Sequence, residues 1–131
     1  MAGPRALTIL VVDDSAFVRA SHCDRLAQRG FVTLTACDAE QARQVLAAEQ
    51  VDAVVSDVEM PGDSGLQLCM WVRAQGGARR LPFVLVSSDD DAEAREEAMR
   101  AGADAFVGKG SCAEGLMDAL EALLGLRAQH R

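Results

Sequence analysis

The sequence predicts an α/β fold in which a parallel five-stranded sheet is covered by helices on both faces, and three observations carry that prediction. Short apolar runs alternate with helical segments five times, in cycles of about 25 residues, the pattern of repeated βα units. Three of the runs (TILVV, AVV and FVLV) are continuously apolar and rich in β-branched residues, as strands buried on both faces should be. Helix-start signals, a short polar residue three before Glu or Gln, fall in step with those runs.

The elements follow in order. The first strand is predicted over Thr8–Val12 and stops at Asp13 and Asp14, with a helix starting near Ser15. Phe31–Ala36 mixes Thr33 and Thr35 into its apolar pattern, which places it nearer a sheet edge. Asp38 with Gln41 opens the second helix, Ala53–Ser56 forms the third strand, and Ser64 with Gln67 opens the third helix. Pro82–Val86 is the fourth strand, and Asp90 with Glu93 opens the helix after it. That fourth helix offers little beyond Ala94, Ala98 and Met99 to bury, so it is lightly anchored and shifts at low cost. Ala105–Val107 is the fifth strand, and Ser111 with Glu114 opens the last helix. There Leu116, Met117, Leu120, Leu123 and Leu124 make an apolar stripe of helical period. Gly30, Gly76, Gly102 and Gly125 stand where helices must end.

Composition limits the function classes. At 131 residues the chain fits one domain, 1–131, with a core over about 7–125 and short terminal extensions. Its 13 basic and 20 acidic residues give a net charge of −7. An acidic chain lacks the clustered Lys and Arg that a nucleic-acid surface needs, so no nucleic-acid partner is expected. The apolar stretch around Ala6 to Val12 is too short to span a bilayer, and no signal-peptide pattern precedes it, so no membrane partner is expected. Cys23, Cys37, Cys69 and Cys112 form no C-x-x-C pair, and neither His22 nor His130 stands at zinc-like spacing from two of them. Free thiols packed as small hydrophobes suit a reducing compartment, and a cytoplasmic location is expected.

In parallel α/β sheets ligands bind beyond the carboxyl ends of the strands, where the strand order reverses. The residues at those ends are Asp13 and Asp14, Asp57, Ser87 and Ser88, and Lys109. Singly each has a plain reading: a helix cap, a loop carboxylate, a turn serine, a solvated lysine. Together, three carboxylates from two strands repel one another unless a cation sits between them. Few carboxylates with water filling the remaining positions suit magnesium (Mg2+).

The set V-V-D-D-S (11–15), S-D-V-E-M-P-G (56–62), V-S-S (86–88) and A-F-V-G-K-G (105–110) resembles the receiver domain of two-component response regulators, over residues 7 to 125. The resemblance implies a flavodoxin-like doubly wound (βα)5 fold with strand order 2-1-3-4-5. It also implies that Asp57 accepts a phosphoryl group from a histidine kinase or histidine phosphotransfer domain. Asp14 would bind magnesium directly, Asp13 through water, and Asp57 with the backbone carbonyl of Glu59 would complete the protein ligands. Ser87 would bond the phosphoryl oxygen, Lys109 would pair with it, and Phe106 would be the switch aromatic, turning inward as Ser87 moves. Such a chain catalyses only its own phosphoryl transfer and dephosphorylation. The K-G-S run is also similar to that of receivers serving chemotaxis-type kinases.

This sequence departs from the pattern at several places. It has no tyrosine, so Phe106 lacks a hydroxyl. Glycine stands at Gly110 where proline is usual, which predicts a trans Lys109–Gly110 peptide. Acidic residues at Glu59 and Asp89 occupy positions that flank the hydrolytic water in the family, so they are expected to set phosphoaspartate lifetime. Two rival readings differ in class. A haloacid-dehalogenase-like phosphohydrolase would carry its nucleophile after the first strand and a second Asp two residues on, where this chain has Glu59. A pseudo-receiver would keep the fold as an interaction module without phosphorylation. The face of the fourth helix, fifth strand and fifth helix is small and acidic, without an Arg–Asp ladder for dimers, so a monomer is expected. Its output would pass to a protein partner or to a larger chain.

Overall fold

Strands and helices alternate along the chain in the computed structural model, which describes residues 6–77, 80–89, 91–109 and 113–125. In chain order they are β1 (Thr8–Val12), α1 (Ala16–Gln28), β2 (Val32–Ala36), α2 (Ala39–Ala48), β3 (Ala53–Asp57), α3 (Gly65–Gln75), β4 (Phe83–Ser87), α4 (Ala92–Ala101), β5 (Ala105–Gly108) and α5 (Ala113–Leu124). All strands are parallel, in the order β2-β1-β3-β4-β5. This is the flavodoxin-like (βα)5 arrangement, with β2 at an edge as its threonines predict.

The uniform apolar runs are explained by burial on both sides. Alternate residues of one strand serve different cores, because successive side chains point to opposite faces. Leu10, Val12, Val54, Phe83 and Leu85 pack with Ala39, Ala42, Leu68, Val72, Ala98 and Ala101 from α2, α3 and α4. Ile9, Val11, Val55, Val84 and Val86 pack with Leu26 of α1 and Leu116, Met117 and Leu120 of α5. Truncating any of the fully buried leucines to Ala costs about 2–5 kcal/mol by transfer and cavity terms together.

Helix starts follow the predicted chemistry at α2 and α3. The Asp38 carboxylate accepts from the Gln41 N–H at 2.8 Å, while the Gln41 amide oxygen accepts from the Cys37 N–H, one residue before the cap. Ser64 and Gln67 form the complete reciprocal box. At α4 the cap is Asp91, which accepts from the Ala94 N–H at 2.8 Å, and not Asp90, which lies outside the described residues. That helix buries Ala98 and Ala101, and Met99 faces solvent. On α5, Leu123 is exposed and Glu121 is buried, because the Arg29 guanidinium reaches across from the end of α1 to within 2.6 Å of it. Cys112, His130, the Ser111 cap and the Lys109–Gly110 peptide lie outside the described residues.

The end of the sheet away from the carboxyl termini is closed by one arginine. Arg73 on α3 donates to the Gly102 carbonyl at 2.8 Å, to the Leu81 carbonyl at 2.7 Å and to Asp104 at 2.9 Å. Asp104 also accepts from the Phe83 N–H and from Arg80. Gly102 ends α4 at φ +107°, and a Cβ there would meet the Arg73 side chain at 2.8 Å, so glycine serves both the turn and the close packing.

Candidate functional site

Register brings the predicted residues together. Val12 pairs with Ala36 and Ser56, Asp57 with Val86, and Ser87 with Gly108, so the carboxyl ends of β1, β3, β4 and β5 form one rim. The order reverses between β1 and β3, and Asp13 and Asp57 stand on either side of that reversal.

Asp13 is buried, its carboxylate accepting from the Ser15 N–H at 2.9 Å, and Arg19 donates to its carbonyl. Ser15 in turn caps α1 through the Val18 N–H, so the cap belongs to Ser15 and leaves both aspartates for the rim. Asp57 is 3% exposed at the last position of β3, with Oδ1 accepting from the Glu59 N–H at 3.3 Å. Asp14 is exposed, and carboxylate oxygens of Asp13, Asp14 and Asp57 all lie within 4.8 Å of one another. The Lys109 Nζ lies 3.3 Å from Asp57 and 3.8 Å from Asp13, its backbone held by a 2.7 Å bond from its N–H to the Ser87 carbonyl.

The charges are out of balance. Burial first, and the neighbouring Asp13 charge second, push Asp57 up from 3.8 to about 6 against the opposing pull of Lys109. Burial works to lower Lys109, but the carboxylates of Asp57, Asp13 and Glu59 outweigh it and the net direction is upward. One lysine thus faces several carboxylates, and hard oxygen donors so arranged fit a divalent cation with water in the remaining positions.

Ser87 and Phe106 are both buried. The Ser87 hydroxyl, 1% exposed, donates to Glu59 Oε2 at 2.8 Å and accepts from the Asp89 N–H at 3.0 Å; it is not directed at Asp57. The Phe106 ring is buried, at 8% exposure. A phenyl ring has no hydroxyl to keep in water, so burial is its resting preference. The Arg95 guanidinium lies 5.0 Å from the ring centroid and donates to the Phe106 carbonyl at 3.3 Å.

Sequence reasoning missed Arg95 and Gly65. A Cβ at Gly65 would stand 2.2 Å from the Asp57 carbonyl oxygen, so the start of α3 lies directly against the backbone of the candidate nucleophile. The available signal was a poor helix former at the first position of a well-capped helix.

Comparison with known proteins agrees with the geometry. The family model described as response regulator receiver domain matches residues 9–121. The response regulator MprA of Mycolicibacterium vanbaalenii is 36% identical over 116 residues, covering 88% of this chain and 49% of the relative. The chain therefore spans about half the length of the curated relatives it matches. Among solved structures, a putative response regulator from Chloroflexus aurantiacus superposes with a TM-score of 0.87 at 27% identity, covering 92% of this chain and 99% of that one. The chemotaxis response regulator CheY4 of Vibrio cholerae gives 0.84 at 26%, covering 91% and 99%.

Proposed function

The chain belongs to the response regulator receiver family, and from that premise we propose that it is a phosphorelay switch whose acceptor is Asp57. A phosphohistidine on a histidine kinase or a histidine phosphotransfer domain is the donor. An Asp57 carboxylate oxygen forms the new O–P bond as the P–N bond breaks, and the departing imidazole nitrogen keeps the electron pair and takes up a proton. Lys109 offsets charge on the transferred group, which is the work expected of a cation fixed beside a transferring phosphoryl.

Asp14, Asp57 and the Glu59 carbonyl would hold magnesium directly, and Asp13 through water. Bound there, the ion supplies charge neutralisation for the phosphoryl oxygens. Ser87 and Phe106 pass the state to the face of α4, β5 and α5, where a protein partner reads it. Water attack on phosphorus returns Asp57 and inorganic phosphate, and the chain performs no other catalysis. Phe17, 82% exposed in the first turn of α1, gives the donor an apolar contact beside the rim. Free Cys23, Cys37 and Cys69 support a reducing, cytoplasmic setting, and the acidic signalling face supports a monomer. Among the described residues no helix is long and apolar enough to cross a membrane.

The carrying observation is the meeting of the Asp13, Asp14 and Asp57 carboxylates beside Lys109. Incubation with acetyl phosphate and Mg2+ should add one phosphoryl mass, absent in Asp57→Asn and absent when the cation is chelated. An undiminished adduct in Asp57→Asn would sink the assignment.

A further inference from the structure

The contact between Ser87 and Glu59 joins two residues 28 positions apart, on the turn after β3 and the last position of β4. We infer that the Glu59 carboxylate is a latch on Ser87: it holds the hydroxyl in the unphosphorylated protein and must let go before that hydroxyl can bond a phosphoryl group on Asp57. This rests on the reading of Asp57 as acceptor.

A serine hydroxyl has one proton to donate. Here that proton goes to Glu59 Oε2 at 2.8 Å, and the oxygen is engaged again by the Asp89 N–H at 3.0 Å. Ser87 is 1% exposed, so no bulk water stands ready to replace the carboxylate as acceptor. Bonding a phosphoryl oxygen therefore requires breaking the bond to Glu59. Hydrogen bonds to a charged acceptor are about twice as strong as neutral ones, so a phosphoryl oxygen must match the bond to Glu59 before it gains anything from Ser87.

The same geometry supplies the release. The Glu59 backbone is tied to the acceptor, its N–H donating to Asp57 Oδ1 at 3.3 Å, while its carboxylate reaches Ser87 and its charge is felt by Lys109, the cation 3.3 Å from Asp57, so a dianionic group on Asp57 would arrive within its field. Like charges at that range repel, and the repulsion grows as water is excluded. Glu59 itself is exposed, so its side chain has solvent to move into without disturbing the core. The carboxylate thus acts as a positioning residue through Ser87, setting how strongly the site resists taking up its charged group.

Fluoroberyllate, a mimic of the phosphoryl group, provides the test. Its affinity in Mg2+ is read directly by 19F NMR of the bound anion in wild type, Glu59→Ala, Glu59→Gln, Ser87→Ala and the Glu59→Ala/Ser87→Ala double variant. Glu59→Ala should tighten binding about tenfold where Ser87 is present, and by a clearly smaller factor where it is not. Glu59→Gln, which loses the charge but keeps an acceptor oxygen, should fall between wild type and Glu59→Ala. An equal factor in both backgrounds would reduce Glu59 to a bystanding charge and overturn the latch, as would no tightening at all. Glu59→Ala leaves the buried Ser87 hydroxyl without its acceptor, so its melting temperature should fall modestly, and affinities are compared at a temperature where melting curves show every variant folded. If wild type binds no fluoroberyllate, the acceptor reading fails and the latch falls with it. If wild type binds and the variants do not differ, only the latch fails.

Discussion

At the scale of single residues, the most consequential is a carboxylate held against its preference. Asp57 binds its proton more tightly in the folded chain, at about 6, than at its ordinary 3.8. Its contribution to stability is therefore fully present below about pH 3.8 and is lost as pH rises through 6. At pH 7.5 the buried charge carries a load of roughly 3 kcal/mol at most, taking about 1.4 kcal/mol per pKa unit. Asp57→Asn should accordingly be more stable than wild type at pH 7.5 by about 1–3 kcal/mol in urea unfolding without added cation, with the gap closing towards pH 4. A constant gap across that range would show that the charge is not the cause. Gly65 gives a second residue-scale expectation. Gly65→Ala should destabilise by about 1–3 kcal/mol although alanine is the better helix former, because the new Cβ meets a backbone oxygen that cannot rotate away. Urea midpoints of the two proteins decide it. The strand-end rule made Asp13, Asp57, Ser87 and Lys109 legible in the sequence, since it needs only the position where an apolar run stops. The Glu59 side chain and Arg95 were not legible as partners: each contact depends on a rotamer and a fold brought together across the chain.

Among the elements, α4 stands apart. It buries only small side chains, Ala98 and Ala101, and its surface joins the sheet through the Arg95 contact with Phe106. Hydrogen exchange over 92–101 should change when wild type binds fluoroberyllate and change much less in Ser87→Ala, which lacks the hydroxyl proposed to link rim to helix. An identical response in the two proteins would break the proposed route. Helix boundaries show how far sequence reasoning reaches at this scale. Strands were placed to within a residue because buried apolar runs have sharp ends. The α4 cap was displaced because Asp89, Asp90 and Asp91 are chemically equal candidates, and only backbone geometry selects Asp91. On α5 the stripe included Leu123 and omitted Glu121, because apolar period alone does not reveal that Arg29 stands ready to neutralise a buried acid.

Across the whole molecule, the sheet divides a repulsive rim from a cross-linked floor. A divalent cation that binds only the native rim should raise stability by about 2.7 kcal/mol at a hundredfold excess over its dissociation constant. Asp14→Asn should lose most of that gain while leaving the metal-free melting temperature nearly unchanged, since Asp14 is exposed. A melting temperature indifferent to Mg2+ up to tens of millimolar would refute the metal site. The floor behaves otherwise, for there Arg73 of α3 holds both the carbonyl of Gly102, the residue after α4, and the carboxylate of Asp104, the residue before β5. In mechanical terms that makes α4 a cantilever, with its Ala101 end set in the wall and its Ala92 end held above the rim more lightly, by Ala94 against the core and Arg95 against Phe106. Over roughly 15 Å of helix, a tilt of about 10° displaces the far end by roughly 2.6 Å while the anchored end hardly moves. Displacements along α4 should therefore grow steadily from Ala101 to Ala92 when the rim takes up its anion, as a gradient of backbone NMR shift changes. Arg73→Met should flatten that gradient by letting the whole beam slide.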